Sequence, residues 1–385
     1  MKILILHSVP IKGSGSGTYV QNLSLNLSKK HDVLVLYPGP INEESYPVKN
    51  ITITPVPVFT SHPIVDSISM IDLDNEALIE TISIYFHEFK NVLEDFSPDI
   101  IHVQHFGLWL LIASVYKRLA NIPVLVTAHG TGLHVLENDE RFLKLYSDVT
   151  DSMDRIVAVS DGVKSRIIRS FPDLEGKIDI VMGGVDLKKF DRPNITKTEW
   201  KKKYKLEDEV VLFAGRIIKE KGIQHLVNVA EYFPNTSIVI AGSGDYKKTI
   251  EKLSKNKKNV ILLPHLDEEI VDFFVHSDLL CVPSIWEEAL GLVILEAMAA
   301  RTPVLASNIG GIPSVVENYK TGILFEPGNE NDLKEKIDLL LKDTTLSKTL
   351  ASNAYEVVKN NFTWNSIAEK IEALYVQLCD QYEIY

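Results

Sequence analysis

The sequence has few cysteines, no long apolar run and a deficit of positive charge among its 385 residues. Cys281 and Cys379 lie far apart and form no C-x-x-C pair, which excludes a disulfide framework and a cysteine zinc site. No run of about 18 apolar residues occurs, so we expect no membrane-spanning helix. Ile3–Leu6 is too short for a secretory signal. We therefore expect a reducing, cytoplasmic setting.

The charge balance argues against nucleic acid as a partner. The 40 Lys and Arg residues face 52 Asp and Glu, which gives a formal net charge of −12. Tight, sequence-independent binding to nucleic acid depends on neutralising phosphates. The one basic run, Lys201–Lys203, is more typical of a solvated helix face than of a phosphate or membrane patch.

Chain length and apolar periodicity predict the fold. A chain of 385 residues exceeds what one core usually supports, so we expect two domains with a ligand in the cleft between them. Apolar runs of strand length alternate with helical patterns, which is typical of parallel sheets flanked by helices. We predict an α/β protein of two Rossmann-like, doubly wound domains facing across that cleft. The predicted strands are Ile3–Leu6, Val33–Tyr37, Ile100–Val103, Val124–Thr127, Ile156–Val159, Val210–Ala214, Ser237–Ala241, Val260–Leu263, Leu279–Val282 and Pro303–Ala306.

The domain boundary is predicted where this alternation stops, between Asp186 and Leu206. Within that stretch, Asp191-Arg192-Pro193-Asn194 is typical of a loop. Apolar residues recur at helical spacing near the end of the chain and predict an amphipathic helix with a stripe to bury. The predicted segments are an N-terminal domain over 1–190, a linker over 191–206, a C-terminal domain over 207–363 and a final helix over 364–385.

A glycine-rich segment, Gly13-Ser14-Gly15-Ser16-Gly17-Thr18, follows the first predicted strand and precedes a helical pattern near Tyr19. Glycines let a backbone approach a phosphate, and amides at a helix start attract one. The segment does not fit G-x-G-x-x-G, because Thr18 or Val20 takes the last glycine position, and this counts against a dehydrogenase. By itself, a turn without a ligand explains the segment equally well.

Two cations follow the predicted strand Val210–Ala214. Arg216 comes after Gly215, and Lys221 precedes Gly222. Open α/β sheets bind ligands beyond the carboxyl ends of their strands, and two permanent cations there suit a diphosphate. A surface turn with scattered charges explains the pattern equally well. No P-loop signature occurs, which argues against simple nucleotide hydrolysis.

Two carboxylates flank the start of a predicted helix near Gly291. Glu288 precedes this helix and Glu296 lies about one turn inside it. Carboxylates accept hydrogen bonds from sugar hydroxyls, so one could hold a ribose and the other a hexose, while the first helix amides meet phosphates. Acidic residues near a helix start also stabilise the helix without any function.

His129 follows the predicted strand Val124–Thr127 directly. A histidine at that position could donate a hydrogen bond to a sugar hydroxyl or a leaving group, or could be bonded within the protein. Asp72-Leu73-Asp74 matches the acidic pattern of metal-dependent glycosyltransferases, but the two aspartates lie in an acidic helical region and we interpret them as surface residues.

With these motifs assembled, the chain resembles glycosyltransferase family 4, retaining enzymes with the two-domain GT-B fold. The likeness runs through the whole length. The motifs that carry it are the glycine-rich first loop, Ala158-Val159-Ser160, Gly184-Val185-Asp186, Gly215-Arg216 with Lys221-Gly222, Ala241-Gly242-Ser243-Gly244, and Glu288 with Glu296 as the E-x7-E pair.

The resemblance implies catalytic positions for His129 and Glu288 beside the transferred sugar. It also implies that Arg216 and Lys221 hold the donor diphosphate, that Glu296 holds the ribose and that the final helix returns to the first domain. The full donor-binding set that it implies is Gly15, Gly17, Arg216, Lys221, Leu266, Gly291, Leu292 and Glu296.

The sequence departs from the family pattern in three places. Pro264-His265-Leu266, which would flank the base, stands where many relatives have a glycine-containing turn, and Met182-Gly183-Gly184 stands where Asn-Gly is usual. The segment His62–Phe96 is acidic where some relatives carry a basic membrane-docking helix. We therefore expect at most weak peripheral contact with a membrane.

The predicted activity is transfer of a hexose-type sugar from a nucleotide-sugar, with retention, to a hydroxyl of a sugar, lipid-linked or small-molecule acceptor. No cofactor and no metal are expected, because Arg216, Lys221 and the helix amides would stabilise the departing diphosphate. The alternatives are a nucleotide-sugar epimerase of the same fold and a non-catalytic nucleotide-sugar-binding protein. A silent protein would typically lose one of His129, Glu288 or Glu296, and all three are present.

Overall fold

The structure, a computed structural model, describes residues 1–39, 48–59, 62, 65–191 and 193–383. The chain divides into two compact units. The first unit comprises Met1–Gly183 together with Trp364–Tyr385, and the second comprises Gly184–Thr363. Across the described residues, we find no helix with the length and apolarity needed to span a bilayer.

The first unit is built on a seven-stranded parallel sheet in the order β3-β2-β1-β6-β7-β8-β9, and a separate two-stranded sheet pairs β4 with β5. Its central strands are apolar and buried; Ile3–Leu6, for example, is 0% exposed, as expected for strands covered by helices on both faces. The strands are β1 (Lys2–His7), β2 (Asp32–Pro38), β3 (Val48–Ile51), β4 (Val56–Val58), β5 (Ser67–Ser69), β6 (Ile100–Gln104), β7 (Val124–Ala128), β8 (Arg155–Ala158) and β9 (Ile178–Ile180). The helices are α1 (Gly15–Leu27), α2 (Asn75–Asp95), α3 (Leu108–Ala120), α4 (Thr131–Asn138), α5 (Glu140–Ser147), α6 (Asp161–Ser170) and, at the end of the chain, α14 (Trp364–Gln381).

The second unit is built on a six-stranded parallel sheet in the order β12-β11-β10-β13-β14-β15. One large apolar cluster, which includes Phe213, Leu226 and Ile337, fills the space between this sheet and its helices. The strands are β10 (Glu209–Ala214), β11 (Thr236–Ala241), β12 (Val260–Leu263), β13 (Leu279–Val282), β14 (Val304–Ser307) and β15 (Ile323–Phe325). The helices are α7 (Lys197–Tyr204), α8 (Ile223–Val229), α9 (Lys247–Ser254), α10 (Ile270–His276), α11 (Leu292–Ala299), α12 (Glu330–Lys342) and α13 (Thr344–Asn361).

The predicted fold class, two Rossmann-like doubly wound domains, is confirmed by these two sheets. All ten predicted strands occur, each within one residue of its predicted ends. The strands that periodicity missed, β3, β4, β5, β9 and β15, are only three or four residues long. Runs this short carry too few alternations to be separated from loops.

The boundary between the units differs from the predicted linker over 191–206. The division falls after Gly183, and the later part of that segment is docked in the second unit. The Asn194 N–H donates to Asp272 Oδ1 at 2.6 Å, and the Trp200 ring, which is 0% exposed, packs edge-on against Phe273. The loop composition marked an irregular backbone, but this packing makes the segment part of the second unit. Arg192 lies outside the described residues.

The final helix, α14, belongs to the first unit and packs on α1. Trp364 meets the Tyr19 ring edge-on, with ring centroids 5.5 Å apart. Residues 384–385 of the predicted helix lie outside the described residues. The apolar stripe seen in the sequence is therefore buried against the first unit, with Ile371 and Tyr375 both 0% exposed.

Each sheet has one point where the direction of strand addition reverses. In the second unit, β11 and β12 are added on one side of β10, and β13 is then added on the other side of β10. In the first unit, β6 returns beside β1 in the same way. Loops beyond the carboxyl ends of such strand pairs form the crevice in which doubly wound sheets bind ligands.

Candidate functional site

Glu288, in the loop after β13, is the centre of a polar cluster in the second unit. Its Oε1 accepts hydrogen bonds from Lys221 Nζ at 2.5 Å and from Ser284 Oγ at 2.5 Å. Lys221 comes from the loop after β10, and Ser284 is 0% exposed. The cluster therefore joins the two loops at the reversal point of the sheet, and so brings together Lys221, predicted to hold the donor diphosphate, and Glu288, predicted to hold the transferred sugar.

The pKa of the Glu288 carboxyl lies below its usual value. Burial would raise this pKa, but the charge of Lys221, the hydrogen bonds from Lys221 and Ser284 and the charge of Arg216 together outweigh it. Glu288 is therefore a carboxylate at neutral pH. Within the described residues, Oε2 accepts no hydrogen bond, so it is the oxygen left for a ligand.

Two glycines with positive φ let neighbouring loops approach this cluster. A Cβ on Gly222 would lie 1.9 Å from the Pro283 carbonyl oxygen, and one on Gly310 would lie 2.6 Å from the backbone of Glu288. The Gly311 N–H then donates to the Glu288 carbonyl at 2.7 Å. Because L side chains rarely adopt these backbone conformations, glycine is required at both positions.

Helix α11 begins one residue after Gly291, whose φ of 75° places it in the left-handed region. In the part of the chain that the structure describes, the Leu292 N–H at this helix start makes no hydrogen bond to the protein. Such an amide can bind an anion. Glu296 lies one turn inside the helix and is partly buried; burial, opposed by Lys189, raises its pKa to about 6.

Leu266 stands apart from this cluster. It follows β12, the edge strand, and β11 separates β12 from β10. The structure therefore brings Arg216, Lys221, Glu288, Leu292 and Glu296 to the reversal point and leaves Leu266 two strands away.

The glycine-rich loop of the first unit differs from its predicted form. Helix α1 begins at Gly15 instead of near Tyr19, and Ser14 caps it by accepting the Gly17 N–H at 3.0 Å. A Cβ on Gly17 would lie 1.8 Å from the Ile11 carbonyl oxygen. Gly17 therefore has a packing reason to be glycine, and its amide is already occupied, whereas Gly15 is exposed at the helix start.

His129 follows β7, at the edge of the first unit's sheet where β1 also ends and the glycine-rich loop begins. Its Nε2 lies 2.7 Å from Gln104 Oε1, and the rings of Tyr19 and His105 lie 4.9 and 4.7 Å away. Burial lowers the pKa of His129 to about 3, so the imidazole is neutral. With the Gln104 amide oriented as in the structure, Nε2 carries the proton and Nδ1 is a hydrogen-bond acceptor.

Sequence reasoning missed Ser284 in the second unit and His102 and Gln104 in the first. The signal for His102 and Gln104 was present: they are polar residues two apart in an otherwise apolar strand, and therefore point to the same face of the sheet.

Asp72 and Asp74 are exposed, and Asp74 caps α2 by accepting a hydrogen bond from the Ala77 N–H. The described residues contain no group of three or more His, Cys, Asp or Glu arranged to hold a metal ion.

Family models match both halves of the chain. The model described as Glycosyltransferase Family 4 matches residues 13–189, and the model described as Glycosyl transferases group 1 matches residues 194–357. A capsular polysaccharide biosynthesis glycosyltransferase of Staphylococcus aureus, CapM, is 31% identical over 69% of this chain and 73% of its own length. This chain belongs to glycosyltransferase family 4. The family predicted from the sequence is therefore confirmed.

Solved structures show the same fold for this glycosyltransferase. It resembles sucrose-phosphate synthase from Thermosynechococcus elongatus with a TM-score of 0.82 and 24% identity, over 99% of this chain and 100% of that one. It resembles Anabaena HepE, solved in complex with UDP-glucose, with a TM-score of 0.81 and 18% identity, over 98% and 100% of the two chains. At these identities the likeness establishes the GT-B type of fold.

Proposed function

We propose that this glycosyltransferase moves a hexose-type sugar, with retention at the anomeric carbon, from a nucleotide-sugar to a hydroxyl group. The proposed acceptor is a glycan, a lipid or lipid-linked molecule, or a small molecule in the cytoplasm. The observation that supports this best is the cluster of Lys221, Ser284 and Glu288 at the reversal point of the second sheet, beside the helix start at Leu292.

The donor diphosphate would lie between two cations and a helix start. Arg216 and Lys221 supply positive charge, and the Leu292 N–H supplies a donor on the dipole of α11. Gly15, exposed at the start of α1, is the proposed approach point in the first unit. Such fixed charges stabilise the negative charge that builds on the leaving diphosphate, so the proposal needs no metal and no cofactor.

The two carboxylates of the second unit would hold the donor's sugars. Glu288 presents Oε2 to a hydroxyl of the transferred sugar because Oε1 is taken by Lys221 and Ser284. Glu296, one turn inside α11, would accept from the ribose hydroxyls. Leu266, on the loop after β12, would flank the base.

His129 would contact the transferred sugar by accepting a hydrogen bond from one of its hydroxyl groups. Its neutral imidazole bonds Gln104 through Nε2, which leaves Nδ1 for the ligand. This refines the sequence-based expectation of a donating histidine: an imidazole with its only proton on Nε2 cannot donate from Nδ1.

Retention is proposed to proceed on one face of the sugar, with the attacking hydroxyl losing its proton to the departing phosphate oxygen. The alternative is a covalent adduct on Glu288, as in retaining glycosidases. Two hydrogen bonds to Oε1 withdraw electron density from the Glu288 carboxylate and support the first route. Intact-mass measurement during turnover of a fluorinated donor tests this, because a glycosyl adduct on Glu288 would contradict it.

The experiment that tests the proposal is release of nucleoside diphosphate from UDP-, GDP- and ADP-sugars by the purified protein in EDTA, with and without candidate sugar acceptors. We expect release from one donor, stimulated by an acceptor and lost in the Arg216→Ala, Lys221→Ala double variant. NMR of the product would show the donor's anomeric configuration. Turnover that needs an added metal ion, or isomerisation of the donor with no acceptor, would contradict the proposal.

A further inference from the structure

A chain of hydrogen bonds inside the first unit connects His129 with the last helix. His129 Nε2 lies 2.7 Å from Gln104 Oε1, and Gln104 Nε2 lies 3.0 Å from His102 Nε2. His102 Nε2 also lies 2.7 Å from Thr127 Oγ1, and His102 Nδ1 lies 2.6 Å from the hydroxyl of Tyr375. Every step is within hydrogen-bond distance.

The interior of this hydrogen-bonded chain is shielded from water. His102, Gln104, Thr127 and Tyr375 are each 0% exposed. Tyr375 comes from α14, 273 residues after its partner His102. Because a buried polar group without a partner is costly, the members of such a network determine one another's orientation.

The positions of the protons follow from the donors at each step. The Gln104 amide nitrogen donates to His102 Nε2, and the Thr127 hydroxyl can donate to the same nitrogen, so His102 carries its proton on Nδ1. That proton is donated to the Tyr375 oxygen. The Gln104 amide oxygen accepts in turn from His129 Nε2–H. His129 is left with an unprotonated Nδ1.

We propose that Tyr375 is a positioning residue for the transfer reaction, which acts through His102 and Gln104 to hold His129 in its Nε2–H form with Nδ1 as the acceptor. The role of His129 at the sugar rests on the proposed function; the hydrogen-bonded chain itself does not. Tyr375 bears on that order because its oxygen accepts the hydrogen bond from His102 Nδ1–H, and without it this buried donor would have no partner among the described residues.

The reversed arrangement is what loss of the Tyr375 acceptor would favour. If the His102 proton moved to Nε2, it would face the Gln104 amide protons, and the amide would turn over to present its oxygen. The amide nitrogen would then donate to His129 Nε2, and His129 would carry its proton on Nδ1. The site would change from an acceptor of hydrogen bonds to a donor, with no change in net charge.

The environment keeps both imidazoles neutral, so the position of the proton is the only variable. Burial lowers the pKa of His102 and of His129 to about 3, and the repulsion that two protonated rings would exert on each other lowers the pKa of His102 further. The described titratable groups beside His129 are His7 at the end of β1, His102 within β6, His105 directly after β6 and Tyr19 on α1. Burial lowers the pKa of His7 and of His105 and raises that of Tyr19.

The direct test is ¹⁵N NMR of the histidine rings in the full chain, comparing Tyr375→Phe with Tyr146→Phe. Tyr146 is a matched control because it is also 0% exposed in the first unit, and its hydroxyl has no partner among the described residues. We expect the parent protein and Tyr146→Phe to show a protonated Nε2 on His129. Tyr375→Phe should move signal towards a protonated Nδ1, and an unchanged His129 tautomer in that variant would overturn the proposal.

A second variant, Gln104→Glu, tests the hydrogen bond between Gln104 and His129. In Gln104→Glu both side-chain oxygens accept, so His129 keeps its Nε2–H, and the added carboxylate raises the pKa of His129. We expect the His129 ring to titrate at a clearly higher pH than in the parent. If its titration does not move, Gln104 is not the hydrogen-bond partner of His129 and the chain is broken at its first step.

Kinetics separate this inference from the proposed function. With the donor identified, Tyr375→Phe should lower kcat about tenfold with little change in donor KM, by analogy with groups that orient a functional histidine, while Tyr146→Phe should match the parent. If His129→Ala is inactive and Tyr375→Phe keeps the parent's kcat, the inference fails and the transfer reaction stands. If no donor is turned over, the proposed function fails, and the ring spectra still decide the hydrogen-bonded chain.

Discussion

The two units place different chemistry at the equivalent edges of similar sheets. In the second unit the reversal point carries full charges, with Lys221 bonded to a Glu288 carboxylate whose pKa is held down despite burial. In the first unit it carries neutral imidazoles, because burial lowers the pKa of His7, His105 and His129. The same topology therefore supports one charged site and one uncharged site.

This difference corresponds to two kinds of ligand group. A diphosphate is recognised through charge, and permanent cations and helix amides act most strongly where water is excluded. Sugar hydroxyls are neutral and are recognised by paired donors and acceptors, for which an unprotonated imidazole nitrogen is sufficient. The charged site suits the leaving group, and the neutral site suits the sugar.

Removal of Lys221 should have the largest effect. In Lys221→Ala the diphosphate loses a cation, and Glu288 loses its ion-pair partner. By analogy with other oxyanion sites, we expect kcat to fall about 10²- to 10³-fold. Lys219→Ala, which removes an exposed lysine from the same loop, is the matched control. Equal losses in the two variants in steady-state assays would mean that net charge, and not the Glu288 cluster, is responsible.

Ser284→Ala should have the next largest effect. Its hydroxyl is the second donor to Glu288 Oε1, and a hydrogen bond to a charged group contributes about 1.5–3 kcal/mol, so we expect a loss of about 10- to 100-fold in kcat/KM. Ser277→Ala, which removes a buried hydroxyl without a partner among the described residues, should leave kcat/KM unchanged. Parent-like kinetics for Ser284→Ala would show that Lys221 alone orients the carboxylate.

The pH dependence of donor binding should come from Glu296. Burial raises its pKa to about 6, so the carboxyl becomes protonated as the pH falls through that value and accepts ribose hydrogen bonds less well. We expect donor KM to rise about tenfold between pH values of about 7 and about 5, which follows from the fraction ionised. Glu296→Gln should have a high donor KM that does not change with pH. A KM in the parent that is flat over this range would contradict the assignment.

The buried imidazole of His129 should contribute no pH dependence over the same range. With a pKa of about 3, His129 stays neutral from mildly acidic to mildly basic solution. The kcat of Glu296→Gln at saturating donor should therefore be flat between pH values of about 5 and about 8. A single ionisation near the usual histidine pKa in that profile would show that His129 is more solvated than the structure indicates.

Much of the fold was predictable because it is local in sequence. Central strands such as Val210–Ala214 are continuous apolar runs, and glycine, cation and carboxylate motifs follow them directly. The reversal of strand order, which brings Lys221 and Glu288 together across 67 residues, is a property of the sheet and not of either motif.

What could not be predicted depends on contacts between distant segments. Tyr375 lies among the apolar residues of the last helix, and nothing in their spacing indicates that its hydroxyl contacts His102. The docked segment around Trp200 has loop composition but is fixed by packing on Phe273. Gly17 lies in a motif typical of phosphate binding, yet its amide is used by the Ser14 cap.

We expect the diphosphate to bind at the charged site of the second unit and not at the neutral site of the first unit. Calorimetric titration with UDP, GDP and ADP in EDTA, for the parent, Lys221→Ala and His129→Ala, tests it without knowledge of the sugar or the acceptor. We predict that Lys221→Ala weakens the best-bound nucleotide about 10- to 100-fold, as expected for a lost charge-assisted hydrogen bond, and that His129→Ala binds it like the parent. Parent-like affinity in Lys221→Ala, or an equal loss in His129→Ala, would contradict this placement of the diphosphate.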